Sequence, residues 1–250
     1  MKTISVINQK GGVGKTSMTA NLSSELAYKG FRVVMLDLDR QTDLTDIFLP
    51  NGNKGPNIVD LLQKKCTVEE ATVTLSENLS IIPGSKFISK FHFRGSEGAL
   101  LPITKHFASN AVDFAVLDHP PAFNNSSVAG FVASSHILIV SEAEALAIKN
   151  LKQLMDDLAE IKKKHQAPLQ ILGIALNKID NRRCLTKTML GKCRSAFGKS
   201  VFNTAIGNDT SIPNALNLNI PVRKLHWRSR TVTQFSQLAD EMLQRMAVKK

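Results

Sequence analysis

Two lysines frame a run of glycines near the start of the chain: Lys10-Gly11-Gly12-Val13-Gly14-Lys15-Thr16. Glycines let successive backbone N–H groups converge on phosphate oxygens, and a helix starting at the end of such a loop adds the partial positive charge of its N-terminus. Lys15 is placed to reach the β- and γ-phosphates of a nucleotide and the Thr16 hydroxyl to ligate Mg²⁺, with Gly11, Gly12, Val13, Gly14 and Ser17 completing the cradle. The pattern G-x-x-x-x-G-K-T asks for glycine where this chain has Gln9, and Lys10 is an additional lysine inside the loop. Met35-Leu36-Asp37-Leu38-Asp39 ends an apolar run with two acids one residue apart, which on a strand point to the same side. Phosphoryl hydrolysis needs a group to orient the attacking water and a metal to take up charge, and such a pair suits both tasks. Asp118, in Leu117-Asp118-His119-Pro120-Pro121, closes another apolar run, where a carboxylate can hold Mg²⁺ through water. His119 reads as a packed or solvated side chain rather than a catalytic one, because phosphoryl transfer needs no histidine. Asn177-Lys178-Ile179-Asp180 matches the N-K-x-D string of GTPases, whose aspartate accepts from guanine's two N–H donors, so a GTP reading stands beside an ATP one.

These groups need a frame that brings loop ends together. Strands are expected over 3–8, 32–38, 79–82, 114–117, 137–140 and 170–176, several of them almost purely apolar, as strands buried on both faces are. Helices are expected over 16–28, with Gly30 placed to stop the first, and over 146–164, 185–197 and 231–246. Alternating strands and helices give an α/β fold with a mainly parallel, twisted sheet and helices on both faces. Ligands in such sheets bind at the carboxyl ends of the strands, which is where the glycine loop, Asp39 and Asp118 fall. The length and the absence of a linker or repeat point to one domain over 1–250.

Composition narrows the function classes. With 43% hydrophobic and 21% charged residues the chain is globular, and three cysteines without a C-x-x-C pair make neither a disulfide scaffold nor a four-cysteine zinc site. No apolar run reaches the ~18 residues of a membrane span and no signal peptide is evident, so a cytoplasmic location is expected. The net charge of +11 is lopsided: residues 1–150 carry 14 Lys/Arg and 14 Asp/Glu, whereas residues 151–250 carry 18 and 7. Such asymmetry fits a polyanionic partner, either nucleic acid or an anionic membrane, and equally a solvated basic face.

Taken in order, Asn8–Thr16, the Asp37-Leu38-Asp39 segment and Asp118-His119-Pro120-Pro121 resemble the deviant Walker A loop, the D-x-D-P-Q segment and the D-x-P-P strand end of the ParA family of partition ATPases, a branch of the MinD/ParA P-loop NTPases. The resemblance spans nearly the whole chain, and Gln9 favours ParA over its MinD-like and nitrogenase iron-protein relatives, which carry glycine there. Arg40 stands where the family has proline, and Thr42-Asp43 where it has Gly-Asn. The resemblance implies an ATPase, weak until stimulated by a partner protein, with ATP and Mg²⁺ as ligands. Lys10 would reach across a homodimer to the partner's nucleotide, Asp39 would position the water, Asp37 would support the metal and the switch network, Asp118 would hold the metal, and Asn177 would lie near the adenine base. It also implies nucleoid association through nonspecific double-stranded DNA, held by basic residues of the C-terminal part. Arg194, Arg223, Lys224, Arg228 and Arg230 are the candidates, with Trp227 expected to be packed rather than stacked on a base. Arg182 and Arg183 add to the same excess of charge. The chain begins at its first strand, so the type without an N-terminal helix-turn-helix domain is expected. The implied role is segregation of a plasmid, chromosome or mobile element. The alternatives are a MinD-like ATPase at a membrane, or positioning of a protein complex. The apolar stripe of the last helix is expected to dock on the domain rather than to enter a bilayer.

Overall fold

The computed structural model describes residues 1–248 apart from 92, 94, 145, 146, 181 and 183, and of residues 184 and 185 the backbone. The chain runs β1 (Lys2–Ile7), α1 (Lys15–Tyr28), β2 (Val33–Asp37), α2 (Asp43–Phe48), α3 (Ile58–Leu62), α4 (Val68–Ala71), β3 (Val73–Ser76), β4 (Leu79–Ile82), α5 (Leu101–Ser109), β5 (Phe114–Asp118) and α6 (Asn125–Val132). It continues with β6 (His136–Glu142), α7 (Ala147–His165), β7 (Gln170–Ile179), α8 (Cys184–Phe197), β8 (Val201–Gly207), α9 (Ser211–Asn217), α10 (Val222–Leu225) and α11 (Arg230–Arg245). The eight strands form one sheet in the order β3-β4-β2-β5-β1-β6-β7-β8. Every neighbouring pair is parallel except β3 and β4.

The apolar runs become strands because both faces of the sheet are covered. Along β2, Val33 and Met35 pack with Met18, Leu22 and Leu26 of α1, while Val34 and Leu36 pack with Ile103 and Phe107 of α5 on the other face. Successive side chains of a strand alternate between faces, so one strand feeds both layers. Helix α1 ends where Gly30 takes φ 86°, the left-handed backbone that favours glycine after a helix. The stripe of α11 (Phe235, Leu238 and Met242) lies in the core shared with α1 and β1, so it docks as expected.

Several features of the fold were not legible in the pattern, among them the short helices α2, α3, α4, α9 and α10. Strand β3 is short, alternately exposed and antiparallel at one edge. Helices α5 and α6 also went unassigned. Strand β8, left without boundaries, forms the other edge, and its free backbone groups are taken by side chains. Glu241 accepts from the N–H groups of Asn203 and Thr204 at 2.9 and 3.0 Å, Gln234 accepts from that of Gly207 at 2.9 Å, and Arg194 donates to the Asn203 carbonyl at 3.1 Å. An edge closed this way offers no template for a further strand. Leu146, the expected start of α7, lies outside the described residues, as do Arg183 and the last two lysines.

Candidate functional site

A cleft of about 730 Å³ opens at the carboxyl ends of the strands, lined by the glycine loop, Lys15, Thr16, Ser17, Asp39 and the segment from Gly207 to Asn219. The loop follows β1, the central strand between β5 and β6, so the ends of both neighbours stand beside it. Gly12 and Gly14 adopt φ 75° and 90°, which turns the backbone into the cradle that glycine permits. A Cβ on Gly14 would collide with the Asn177 amide, so this position has room only for glycine. Lys15 is buried, and burial lowers its pKa against the opposing pull of Asp118 and Asp39. A desolvated ammonium at the head of the loop is primed for an anionic ligand. Val13 turns its side chain into the core and contributes its backbone to the loop.

Thr16 Oγ1 donates to Asp118 Oδ2 at 2.8 Å and Thr19 Oγ1 to Oδ1 at 3.0 Å. Asp118 is buried, and desolvation, then the nearby Asp37 charge, pushes its pKa up to about 8. A buried carboxylate beside a hydroxyl is an all-oxygen donor set, which fits a hard cation such as Mg²⁺. Among the described residues no three His, Cys, Asp or Glu side chains gather to hold an ion alone, so a cation here shares its shell with water and phosphate, as Mg²⁺ does.

Asp37 takes up the switch-supporting side of the role expected of it. Its Oδ2 accepts from the Thr45 N–H at 3.0 Å and the Thr45 hydroxyl at 2.6 Å, and its Oδ1 accepts from the Asp39 N–H at 3.1 Å. The Gly84 N–H in turn donates to the Thr45 hydroxyl at 2.8 Å. Asp37 is therefore a strut that ties α2 and the end of β4 to the loop carrying Asp39, and it does not line the cleft. Burial raises its pKa to about 6. Asp39 does face the cleft, with Oδ1 accepting from the Gln41 N–H at 3.0 Å. Thr42, three residues on, sits at φ 59°, a left-handed conformation that is strained for a β-branched residue.

Asn177 and Lys178 back the loop. Asn177 Nδ2 donates to the Val13 carbonyl at 2.8 Å, and its buried Oδ1 has no partner among the described residues. Lys178 donates to the Gly12 carbonyl and pairs with Glu142 at 3.0 Å. Asp180 accepts from the Arg182 N–H and guanidinium, and it is not among the residues lining the cleft. The carboxylate that would read guanine is thus turned to its own chain. Lys10 also stands outside the cleft: its ammonium meets Glu144 at 2.6 Å and Glu142 at 3.6 Å, with its side chain 46% exposed. Lys178, Glu142, Glu144 and Thr45 were missed from the sequence. Only the N-K-x-D string hinted at the first, and the others carry no local signature.

Residues 1–171, which carry the phosphate loop, Asp39 and Asp118, fit the family AAA_31, an AAA domain. The chain belongs to that family and is a ParA-type ATPase. It is 28% identical over 252 residues to the sporulation initiation inhibitor protein Soj of Bacillus subtilis, covering 96% of this chain and 98% of that one. To the chromosome partitioning protein ParA of Caulobacter vibrioides it is 25% identical over 253 residues, covering 98% and 95%. The ATPase shares its fold with a Cyanothece McdA–ATP complex, at a TM-score of 0.86 and 19% identity over 100% of this chain and 98% of that one. MinD of Pyrococcus horikoshii complexed with Mg-ADP gives 0.80 at 23% identity over 96% and 95%.

The basic candidates of the ATPase do not form one set. Arg223 makes a two-pronged pair with buried Glu25 at 2.7 and 2.6 Å and lies over the Tyr28 ring at 3.8 Å, which assigns it to the fold. Arg194 lines a separate groove at the amino ends of β6–β8. Arg230 leans on Asp209 at 3.4 Å at the cleft rim. Lys224 and Arg228 are exposed. Trp227, expected to be packed, is 62% exposed with Arg228 4.1 Å above its ring. His119 is buried and bonded to Ser5 at 2.7 Å, the packed rather than the solvated of its two readings.

Proposed function

We propose that this ATPase is a DNA-positioning switch. ATP and Mg²⁺ occupy the cleft, two subunits close face to face over their nucleotides, and the closed dimer binds duplex DNA without sequence preference. A cargo-bound partner then stimulates hydrolysis and release, moving a plasmid, chromosome region or mobile element along the nucleoid. The observation that carries this reading is Lys10: Lys15 already serves the subunit's own cleft, while Lys10 is held at the loop's outer side by exposed Glu144, a weak pair that a second subunit's phosphates can outcompete. Lys10 then stabilises the charge that develops on the partner's nucleotide. Asp39 orients the water, Thr16 and Asp118 hold the ion, and the unpartnered Asn177 oxygen is an acceptor for the amine of adenine. The names of the Caulobacter and Treponema relatives, both assigned to chromosome partitioning, agree with this reading.

For DNA the supporting features are the excess of 18 Lys/Arg over 7 Asp/Glu after residue 150 and the exposed Lys224 and Arg228. Phosphate contacts of this kind act through counterion release. The test is binding to random-sequence duplex DNA across a salt series with no nucleotide, ADP, ATP and GTP, beside an Asp39→Ala variant. Binding with ATP alone, weakening steeply with salt and persisting in the variant, is expected. Absence of binding in every nucleotide state overturns the DNA reading and directs attention to anionic liposomes.

A further inference from the structure

We propose that Lys178 is a positioning residue that straps the phosphate loop to the end of β7 and sets how long bound nucleotide is retained. Consecutive residues of β7 take consecutive carbonyls of the loop: Lys178 donates to Gly12 and Asn177 to Val13. A trans peptide is planar, with its C=O and N–H pointing in opposite directions. Drawing the Gly12 and Val13 carbonyls toward β7 therefore aims the N–H groups of Val13 and Gly14 the other way, into the cradle where phosphate oxygens sit. Lys178 reaches the loop from φ 56°, a left-handed conformation uncommon for lysine within a strand. Glu142, 17% exposed, pairs with its ammonium at 3.0 Å and so compensates its charge. Lys15 attracts phosphate as a cation, whereas Lys178 works by orientation. Its side chain also lines the cleft.

The proposal rests on the nucleotide site and not on DNA binding, so a chain that failed to bind DNA would leave it standing. The experiment is stopped-flow release of a fluorescent ADP analogue from the full chain, chased with unlabelled ADP. Lys178→Met keeps the stem and removes the donor, and release is expected to speed up by roughly tenfold, the loss of one charge-assisted hydrogen bond. Association is expected to stay within about twofold, because Lys15, the cation that attracts the phosphates, still lines the cleft. Lys178→Arg, which can still donate to the Gly12 carbonyl, is expected to restore most of the retention, and Glu142→Gln to change release by less than about threefold, since the bond to Gly12 survives. Unchanged release from a folded Lys178→Met chain, or equal loss in the Met and Arg variants, overturns the proposal. Should Lys178→Met fail to fold, Lys178→Gln, with less reach and no charge, takes its place under the same expectation.

Discussion

At the scale of single residues, Asp118 gives the site a pH dependence whose sign follows from burial. Its carboxyl ionises near 3.8 in the unfolded chain and near about 8 in the fold. Between those values the folded state binds the extra proton, so without ligand the stability falls as pH rises through that window. A cation needs the carboxylate, so Mg²⁺ binding gains strength over the same range. Thermal melts with Mg-ADP and without ligand are expected to diverge more at pH 8 than at pH 6. Asp118→Asn, neutral at every pH, is expected to flatten the difference, and a divergence that survives in this variant would assign it elsewhere. Thr42 is the second residue-scale case. A β-branched side chain at φ 59° stores about 1–3 kcal/mol. Thr42→Gly relieves that and loses about 0.5–1 kcal/mol to chain entropy, so its urea midpoint is expected to be equal to or above that of the parent. A fall of more than about 1 kcal/mol would show that the buried threonine side chain outweighs the strain.

At the scale of elements, what could be read from the sequence was what local pattern encodes. The glycine loop, Asp39 and Asp118 were legible because each lies at the end of an apolar run whose burial is forced by the sheet. The bonds that set Asp37 in place were not, because Thr45 and, through it, Gly84 come from two other segments and only the fold joins them. Arg223 illustrates the same limit. A run of basic residues reads as a solvent face, yet its partner Glu25 lies 198 residues earlier on α1. Strand β8 escaped notice because its middle residues, Asn203, Thr204 and Ala205, are exposed or half-buried and interrupt the apolar run. The Arg223–Glu25 pair joins α10 to α1, the helix that begins at the phosphate loop. Breaking it strands a carboxylate that is 2% exposed. Arg223→Ala is therefore expected to lose about 3–5 kcal/mol of stability in urea unfolding. Arg228→Ala is expected to melt with the parent protein, since its side chain is exposed. Equal stability of the two variants would return Arg223 to the surface set.

At the scale of the whole molecule, the phosphate loop, Asp39 and Asp118 lie in the charge-balanced part of the chain, and in the proposed switch a closed dimer would join them to the basic part. Acidic and basic residues balance over the first 150 positions, which build the phosphate loop, Asp39 and Asp118, and the surplus of positive charge follows after them. A monomer presents that surplus once, whereas two subunits related by a two-fold axis present it twice on one rigid body. Phosphate contacts accumulate in the exponent of the salt dependence, so doubling their number changes weak attraction into tight binding. DNA affinity should then follow dimer closure rather than nucleotide occupancy, and Lys10 separates the two because it lies outside the cleft of its own subunit. Lys10→Ala is expected to bind a fluorescent ATP analogue with an affinity within about threefold of the parent, since the contact proposed for Lys10 is across the interface. It is expected to remain a monomer with ATP by light scattering and to lose ATP-dependent DNA binding. A Lys10→Ala chain that still dimerises with ATP would place closure on other contacts. One that stays monomeric and yet binds DNA as the parent does would show that the basic face acts without the switch.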